Sequence, residues 1–304
     1  MRALMLMIML IRILKLMSNS HQTAVQQRQL DDIEQQGISV AQGIRYRSAH
    51  KQAVTDWVVD EHPVALVYNG LAHVVMMATP VELENFALGF SLSEGIIAGR
   101  QELYDIEIST TDIGTEINMT ISARAFEQLK TKKRSLAGRT GCGLCGIESL
   151  QNLETDVAKI SHVYTEQWLR LIPPALKALP EKQPISLATG GAHAAAWVTL
   201  DGRLLAVFED VGRHNALDKL LGFMSFSGHS FQSGFVLMTS RASYELVRKC
   251  AKLDIALLAS ISAPTSLAIS LANQAGMGLV SFCRGDGFVV YTQDQKQIPP
   301  SLSF

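Results

Sequence analysis

The stretch Leu204-Leu205-Ala206-Val207-Phe208-Glu209-Asp210-Val211-Gly212-Arg213-His214 passes from an apolar run through a polar turn into a helical pattern. A short apolar run bounded by turn residues reads as a strand, and the residues after Gly212 read as a helix. The plan recurs twice. Phe235 to Thr239 leads through Ser240-Arg241 into Ser243 to Leu253, and Ile255 to Ile261 leads through Ser262-Ala263-Pro264 into Thr265 to Ala275. Strand, turn and helix in repetition predict parallel strands with crossover helices. Just upstream, two apolar runs between Ala192 and Asp210 flank Asp201-Gly202, a hairpin signal. Downstream, Leu279 to Phe282 and Phe288 to Tyr291 add two strands around Cys283-Arg284-Gly285-Asp286-Gly287.

In such sheets a ligand sits beyond the carboxyl ends of the strands, where helix N-termini offer N–H groups to anions. Arg213, Arg241 and Arg284 all fall at those ends. A pyrophosphate-bearing ligand suits them, because a guanidinium grips phosphate through two N–H groups. Simpler readings stand beside this one. Asp210, Arg213 and His214 can form a structural ion pair with helix capping, and Arg284 to Gly287 can merely join two strands. His193, on an apolar strand, reads as a packing residue.

Before this region lies a smaller unit. Val64 to Tyr68 and Leu71 to Met77 flank Asn69-Gly70, a type I′ hairpin signal. Thr79-Pro80-Val81-Glu82 has the form of a capping box, followed by Leu83, Phe86, Ala87 and Phe90 on one helical face, with Gly95 as the stop. Glu116 to Ser122 alternates as a strand, and Ala123 to Lys133 returns to helix. The order β, β, α, β, β, α predicts a small α+β layer. Its last helix delivers Lys130, Lys132, Lys133 and Arg134 to a glycine-rich loop, Gly138-Arg139-Thr140-Gly141-Cys142-Gly143-Leu144-Cys145-Gly146. Cations and exposed N–H groups favour the thiolate over the thiol, whose free pKa is about 8.5. Cys142 and Cys145 are therefore candidates for sulfur chemistry. Half of a structural zinc site, a thioredoxin-like disulfide and two inert cysteines are the alternatives. Between the two units, Pro173-Pro174 must break a helix spanning Glu166 to Leu179.

Composition bounds the rest. With 304 residues, 47% hydrophobic and 18% charged, the chain can bury two cores. A formal net charge of -1 gives no global reason to bind nucleic acid or an anionic membrane. Four cysteines without disulfide-like spacing suit a reducing cytoplasm. The apolar run Ala3 to Ile11 is too short to span a bilayer, is interrupted by Arg12 and Lys15, and is followed by no cleavage site. Met17 is a candidate true start in place of Met1. The expected organisation is a poorly ordered arm over 1–52, an α+β domain over 53–150 ending in the Cys-x-x-Cys loop, an α/β domain over 151–295 and a tail over 296–304.

A hairpin, a helix opening with His and a strand leading to a second helix is also the plan of the zinc nucleoside deaminases, whose signature is H-x-E followed by P-C-x-x-C. Here those places hold His214-Asn215-Ala216 and Ser240-Arg241-Ala242-Ser243. The acid/base glutamate is Ala216 and the thiolate ligands are hydroxyls, so the expected fold is a cytidine-deaminase-like three-layer α/β domain without a metal centre.

Several separated motifs occur together: Glu61-His62-Pro63-Val64 through Tyr68-Asn69-Gly70, Phe86-Ala87-Leu88-Gly89-Phe90, Glu94-Gly95-Ile96-Ile97, the Cys142 loop, Glu209 through Lys219, and Ser240-Arg241-Ala242-Ser243-Tyr244-Glu245. Over about Val54 to Tyr291 the chain resembles the formate dehydrogenase accessory sulfurtransferase family, FdhD. That resemblance implies a cytoplasmic homodimer that takes sulfur from a cysteine desulfurase and passes it to the molybdenum cofactor, a bis(molybdopterin guanine dinucleotide), for formate dehydrogenase. It implies a persulfide on Cys142 with Cys145 as its partner, and cofactor binding by Phe282, Cys283, Arg284, Gly285, Asp286 and Gly287, beside Arg213, His214 and Arg241. At Gly287 the sequence departs from the family, whose members often carry Arg or another larger residue there.

Overall fold

The computed structural model describes residues 37–48, 50–137 and 157–292, so the Cys142 loop, the Met1 to Gln36 segment and the tail lie outside the described residues. The chain opens with a long hairpin, β1 (Ile38–Arg47) and β2 (His50–Val59), paired through their whole length. This corrects the expectation of an unstructured arm up to residue 52. The alternation there is weak because most side chains are exposed, and it is the root, Ile38, Trp57 and Val59 packed on Ile185, Ala188 and Val81, that anchors the hairpin.

The small unit follows the predicted order. Strands β3 (His62–Tyr68), β4 (Leu71–Ala78), β5 (Leu103–Thr111) and β6 (Gly114–Ile121) form one sheet in the order β4-β3-β6-β5. Asn69 and Gly70 take φ of 47° and 77°, as a type I′ turn requires. Helix α1 (Leu83–Ser93) and helix α2 (Ala123–Ala137) cover one face of this sheet, burying Leu66, Tyr68, Ile117 and Met119.

Two expectations about α1 are overturned. The capping box does not form: the helix starts at Leu83, behind Glu82 in the left-handed region with φ of 57°. Thr79 is bound elsewhere, its hydroxyl accepting from the Val211 N–H (3.0 Å) and its own N–H donating to Asp210 Oδ2 (3.1 Å). Nor is α1 buried on one face only. Phe86 to Ser93 is buried all round, because its second face meets the large unit.

The large unit is a three-layer α/β domain. Strands β7 (His193–Thr199), β8 (Leu204–Asp210), β9 (Gly234–Met238), β10 (Leu257–Ser260), β11 (Gly278–Arg284) and β12 (Gly287–Val290) form a sheet in the order β12-β11-β10-β9-β7-β8. Strands β9, β10 and β11 are parallel, while β7 is antiparallel to both β8 and β9. Strand β8 therefore runs in the same sense as β9, β10 and β11. The short helices α3 (Glu166–Leu169), α4 (Ile172–Ala178) and α5 (Pro184–Thr189) precede the sheet, with the Ile172-Pro173-Pro174 step ending one and opening the next. Helices α6 (Arg213–Phe226), α7 (Tyr244–Lys252) and α8 (Ser266–Ala275) are the crossovers.

Alternation along the strands separates the two faces. Ala195, Trp197, Val236 and Met238 pack under α6 to α8, whereas Ala196, Val198, Phe235 and Leu237 pack against α4 and its neighbours. With both faces covered, the strands read as continuous apolar runs.

The two units are joined by the crossing of α1 and α6. A Cβ on Gly89 would stand 1.7 Å from the Asp218 carbonyl oxygen, and one on Gly222 would stand 1.8 Å from that of Asn85. Two glycines thus bring the helix backbones into direct contact. Charges are sealed in beside them. Lys219 and Asp210, both fully buried, pair at 2.6 Å, and Lys219 Nζ also donates to the Thr79 and Glu209 carbonyls.

Candidate functional site

Because β8, β9, β10 and β11 point the same way, the turns that follow them gather on one edge of the sheet. Backbone hydrogen bonds lace the turns together. Ala242 N–H donates to Ala263 O, Thr265 N–H to Ala242 O and Phe282 N–H to Ser262 O. Helix α8 caps itself, Thr265 accepting from the Ala268 N–H at 3.2 Å. Helices α6 and α7, behind Gly212 and Ser243, have no side-chain cap. The first N–H groups of α6 are thus left to solvent or a ligand, whereas at α7 the Glu245 carboxyl accepts from its own N–H.

One simpler reading of the sequence joins Asp210, Arg213 and His214 in a structural ion pair, and the structure divides them. Asp210 belongs to the scaffold: besides Lys219 it accepts from the Gly212 N–H (2.8 Å) and the Asn215 amide (2.9 Å). Arg213 and His214, at the first turn of α6, meet Glu245 on α7 instead. His214 Nε2 lies 3.4 Å and Arg213 Nη2 4.0 Å from Glu245 Oε2. The hydrogen bond with His214 holds the Glu245 carboxyl down at about 2, against the opposing effect of burial, with Ser243 adding to it. Arg213 and His214 each keep over a quarter of their side-chain surface in water. Arg213 Nε is buried without a hydrogen-bond partner among the described residues, so part of its donor capacity is unspent.

His193, expected to be a packing residue, is half-buried at the start of β7 beside this cluster. Burial, and then the charges of Arg213 and His214, push its imidazole below the ordinary value. Arg241 is exposed on the turn after β9.

The Phe282 to Gly287 segment lies at the end of β11. Arg284 pairs with Gly287 across a two-residue turn whose first member, Gly285, has φ of 59°. The segment therefore does join two strands, yet it also carries strain and charge. Phe282 takes φ of 54°, rare for a bulky residue, in a β-bulge that leaves its ring 39% exposed under the Arg284 guanidinium at 5.9 Å. Asp286 and Gly287 are exposed. Cys283 is not: its side chain faces the core, and burial pushes its thiol up to about 11. Only its backbone is open to a ligand.

Cys250 is also buried, its thiol pushed up to about 12 by burial. Cys250 and Cys283 pack on opposite faces of the large sheet, so they cannot jointly complete a four-ligand zinc site with another pair. Cys142 and Cys145 lie outside the described residues. Sequence reasoning assigned Glu245 no role in the site. The Asp218 and Lys249 pair, 2.7 Å apart under the helix crossing, also went unread. Among the described residues no helix is long and apolar enough to cross a membrane.

Comparison with known proteins places these features in a family. Residues 59–298 match the FdhD/NarQ family. The sulfur carrier protein FdhD of Acinetobacter baylyi is 55% identical over 262 residues, 86% of this chain and 96% of that protein. The protein of the same name from Chromobacterium violaceum is 51% identical over 265 residues, 86% of this chain and 97% of its own. Among solved structures, a chain from Desulfotalea psychrophila described as a formate dehydrogenase accessory protein superposes with a TM-score of 0.67. At 24% identity, covering 86% of this chain and 99% of that one, it shares the fold. On a match that spans most of its length, the chain belongs to the FdhD/NarQ family.

Proposed function

We propose that this protein is a cytoplasmic sulfur carrier in the maturation of a formate dehydrogenase. It takes sulfur from a cysteine desulfurase and delivers it to the molybdenum cofactor, bound as a substrate. The observation that carries the reading is the division of the cysteines. Cys250 and Cys283 are buried and held as thiols, so sulfur chemistry falls to Cys142 and Cys145, in a chain about half identical to proteins named sulfur carriers.

In the first step the Cys142 thiolate attacks the terminal sulfur of the desulfurase persulfide. One S–S bond forms, one breaks, and the desulfurase cysteine leaves as a thiolate. In the second, the Cys145 thiolate attacks the inner sulfur on Cys142. A Cys142–Cys145 disulfide forms and the outer sulfur leaves as sulfide, the oxidation level a metal sulfido ligand needs. A thiol reductant then reopens the disulfide. The cofactor's pyrophosphates and guanines are offered Arg213, Arg241, Arg284, the uncapped start of α6 and the backbone of Phe282 to Gly287.

The test is transfer of sulfur from a desulfurase supplied with labelled cysteine. The wild-type chain should gain the mass of one sulfur atom on a peptide containing Cys142, and Cys142→Ala should retain none while binding nucleotide normally. Label kept by Cys142→Ala on another residue would refute the assignment of Cys142. Activation of the dehydrogenase by a Cys142→Ala/Cys145→Ala double variant would leave only a cofactor-binding role.

A further inference from the structure

His193 opens β7, and the register fixes where it stands. It pairs with Asp210, the last residue of β8, while the Ala194 N–H donates to Thr239 Oγ1 and the Thr239 N–H donates to the Ala194 carbonyl, just past the end of β9. His193 therefore lies between the two turns that lead into α6 and α7. Alternation along β7 sets its side chain on the face of Ala195 and Trp197, the face that these helices cover. Ala195 is sealed there, whereas the imidazole, one pleat further out, is half-buried and makes no hydrogen bond to a described residue.

The charged groups around the ring come from four places. Opposite, on β8, the Asp210 carboxylate is taken up by Lys219, the Gly212 N–H and the Asn215 amide. From α6, Arg213 and His214 oppose a proton on the ring, adding to the larger effect of burial. From α7, Glu245 faces those two side chains. Arg241 stands exposed on the turn after β9. Cations crowded round an imidazole keep it uncharged until an anion joins them, and an anion reverses the field at the ring.

We propose that His193 is a further binding residue for the pyrophosphate: it takes up a proton from solvent as the ligand arrives and then donates an N–H to a phosphate oxygen. His193 has this role only if a pyrophosphate is held at this edge, as the proposed function requires. Without the ligand, burial and then the charges of Arg213 and His214 hold the ring below its ordinary value of 6.5, so it carries little charge at pH 7. A phosphate within hydrogen-bond range offsets the repulsion from Arg213 and adds an attraction. An opposite charge at that distance raises the ring's value by about one to three pH units. The resulting gain in affinity is complete below the value of the free protein and is lost as pH rises through the higher value of the complex. Binding is thereby coupled to pH through one residue.

The probe is diguanosine pyrophosphate, whose phosphates are diesters and exchange no proton near neutral pH. Calorimetric titration of the full chain should show it binding about tenfold more tightly at pH 5.5 than at pH 8, the factor that corresponds to about one pH unit. His193→Gln should bind with less than about a twofold difference between the same two values. Proton NMR of the wild-type ring, assigned through its backbone, needs no variant. With saturating probe, His193 should titrate about one pH unit higher than without it. Binding that leaves the His193 titration unmoved, or a pH dependence kept in full by His193→Gln, would overturn the role of His193 and leave the pyrophosphate site standing. No binding at either pH would overturn the site itself, and the part of His193 with it.

Discussion

Glu245 organises the candidate site from below. Its carboxyl, held down at about 2 first by the His214 hydrogen bond, stays ionised through neutral pH and fixes Arg213 and His214 at the start of α6 while leaving part of each side chain open to water. The contribution of a depressed carboxylate is present above its ordinary value of 4.5 and is lost as pH falls toward 2. Nucleotide binding at this edge should therefore not change between pH 6 and 8 on Glu245's account, because that carboxyl is ionised throughout the range. Replacing Arg213 by Gln removes a charged donor with spare capacity. Calorimetric titration with guanosine diphosphate, a fragment of the cofactor proposed above, should show affinity falling about tenfold. Unchanged affinity would place the phosphates elsewhere. Arg213, Arg241 and Arg284 were legible in the sequence because each follows a strand-like run, and position after a strand is local information. Glu245 was not, because its role depends on His214, 31 residues away, across two elements whose relative placement no periodicity reports.

At the scale of elements, the crossing of α1 and α6 is the feature most exposed to mutation. Gly89→Ala gains helix propensity worth about 1 kcal/mol. The new methyl, however, would overlap the Asp218 carbonyl, which is backbone and cannot turn aside. Forcing the helices apart uncovers side chains on both, and a cost of about 3 kcal/mol is expected. The steric term wins, so the urea midpoint should fall; a midpoint that rises would mean the helices do not touch there. Hairpins at Asn69-Gly70 and Asp201-Gly202 and the strand-turn-helix repeats were all readable, since turn chemistry and apolar runs are written within a few residues. The start of α1 was misread for the converse reason. Thr79 has the right chemistry for a cap, but Asp210 and Val211, more than 130 residues later, bind its polar groups first. The arm was missed because a strand with both faces in water shows little period-2 contrast.

Over the whole molecule, the two units share an ionic core. Lys249 Nζ donates to both Asp218 oxygens at 2.8 and 2.7 Å and to Ser93 at 3.0 Å, and it lies 3.0 Å from Glu94 Oε1, while Arg248 holds the other Glu94 oxygen at 2.7 Å. Glu94 comes from the end of α1, Asp218 from α6 and both cations from α7. Burial alone would raise the Glu94 carboxyl, but Lys249 and then Arg248 outweigh it and hold it down at about 2. Its contribution to stability is therefore complete above 4.5 and disappears as pH falls from there toward 2. Glu94→Gln leaves Lys249 with one carboxylate fewer in a buried position, and such loss of one partner costs about 3 kcal/mol. Urea unfolding of the variant should thus be easier at pH 7, and its midpoint should change less than that of the wild type between pH 5 and 3, because the titrating group is gone. Tryptophan fluorescence reports the large unit through Trp168 and Trp197 and circular dichroism reports both units, so the two signals should move in a single transition in both proteins if the shared core couples the units. Two separated transitions in the wild type would show that the helix crossing and its buried charges do not bind the units into one cooperative fold.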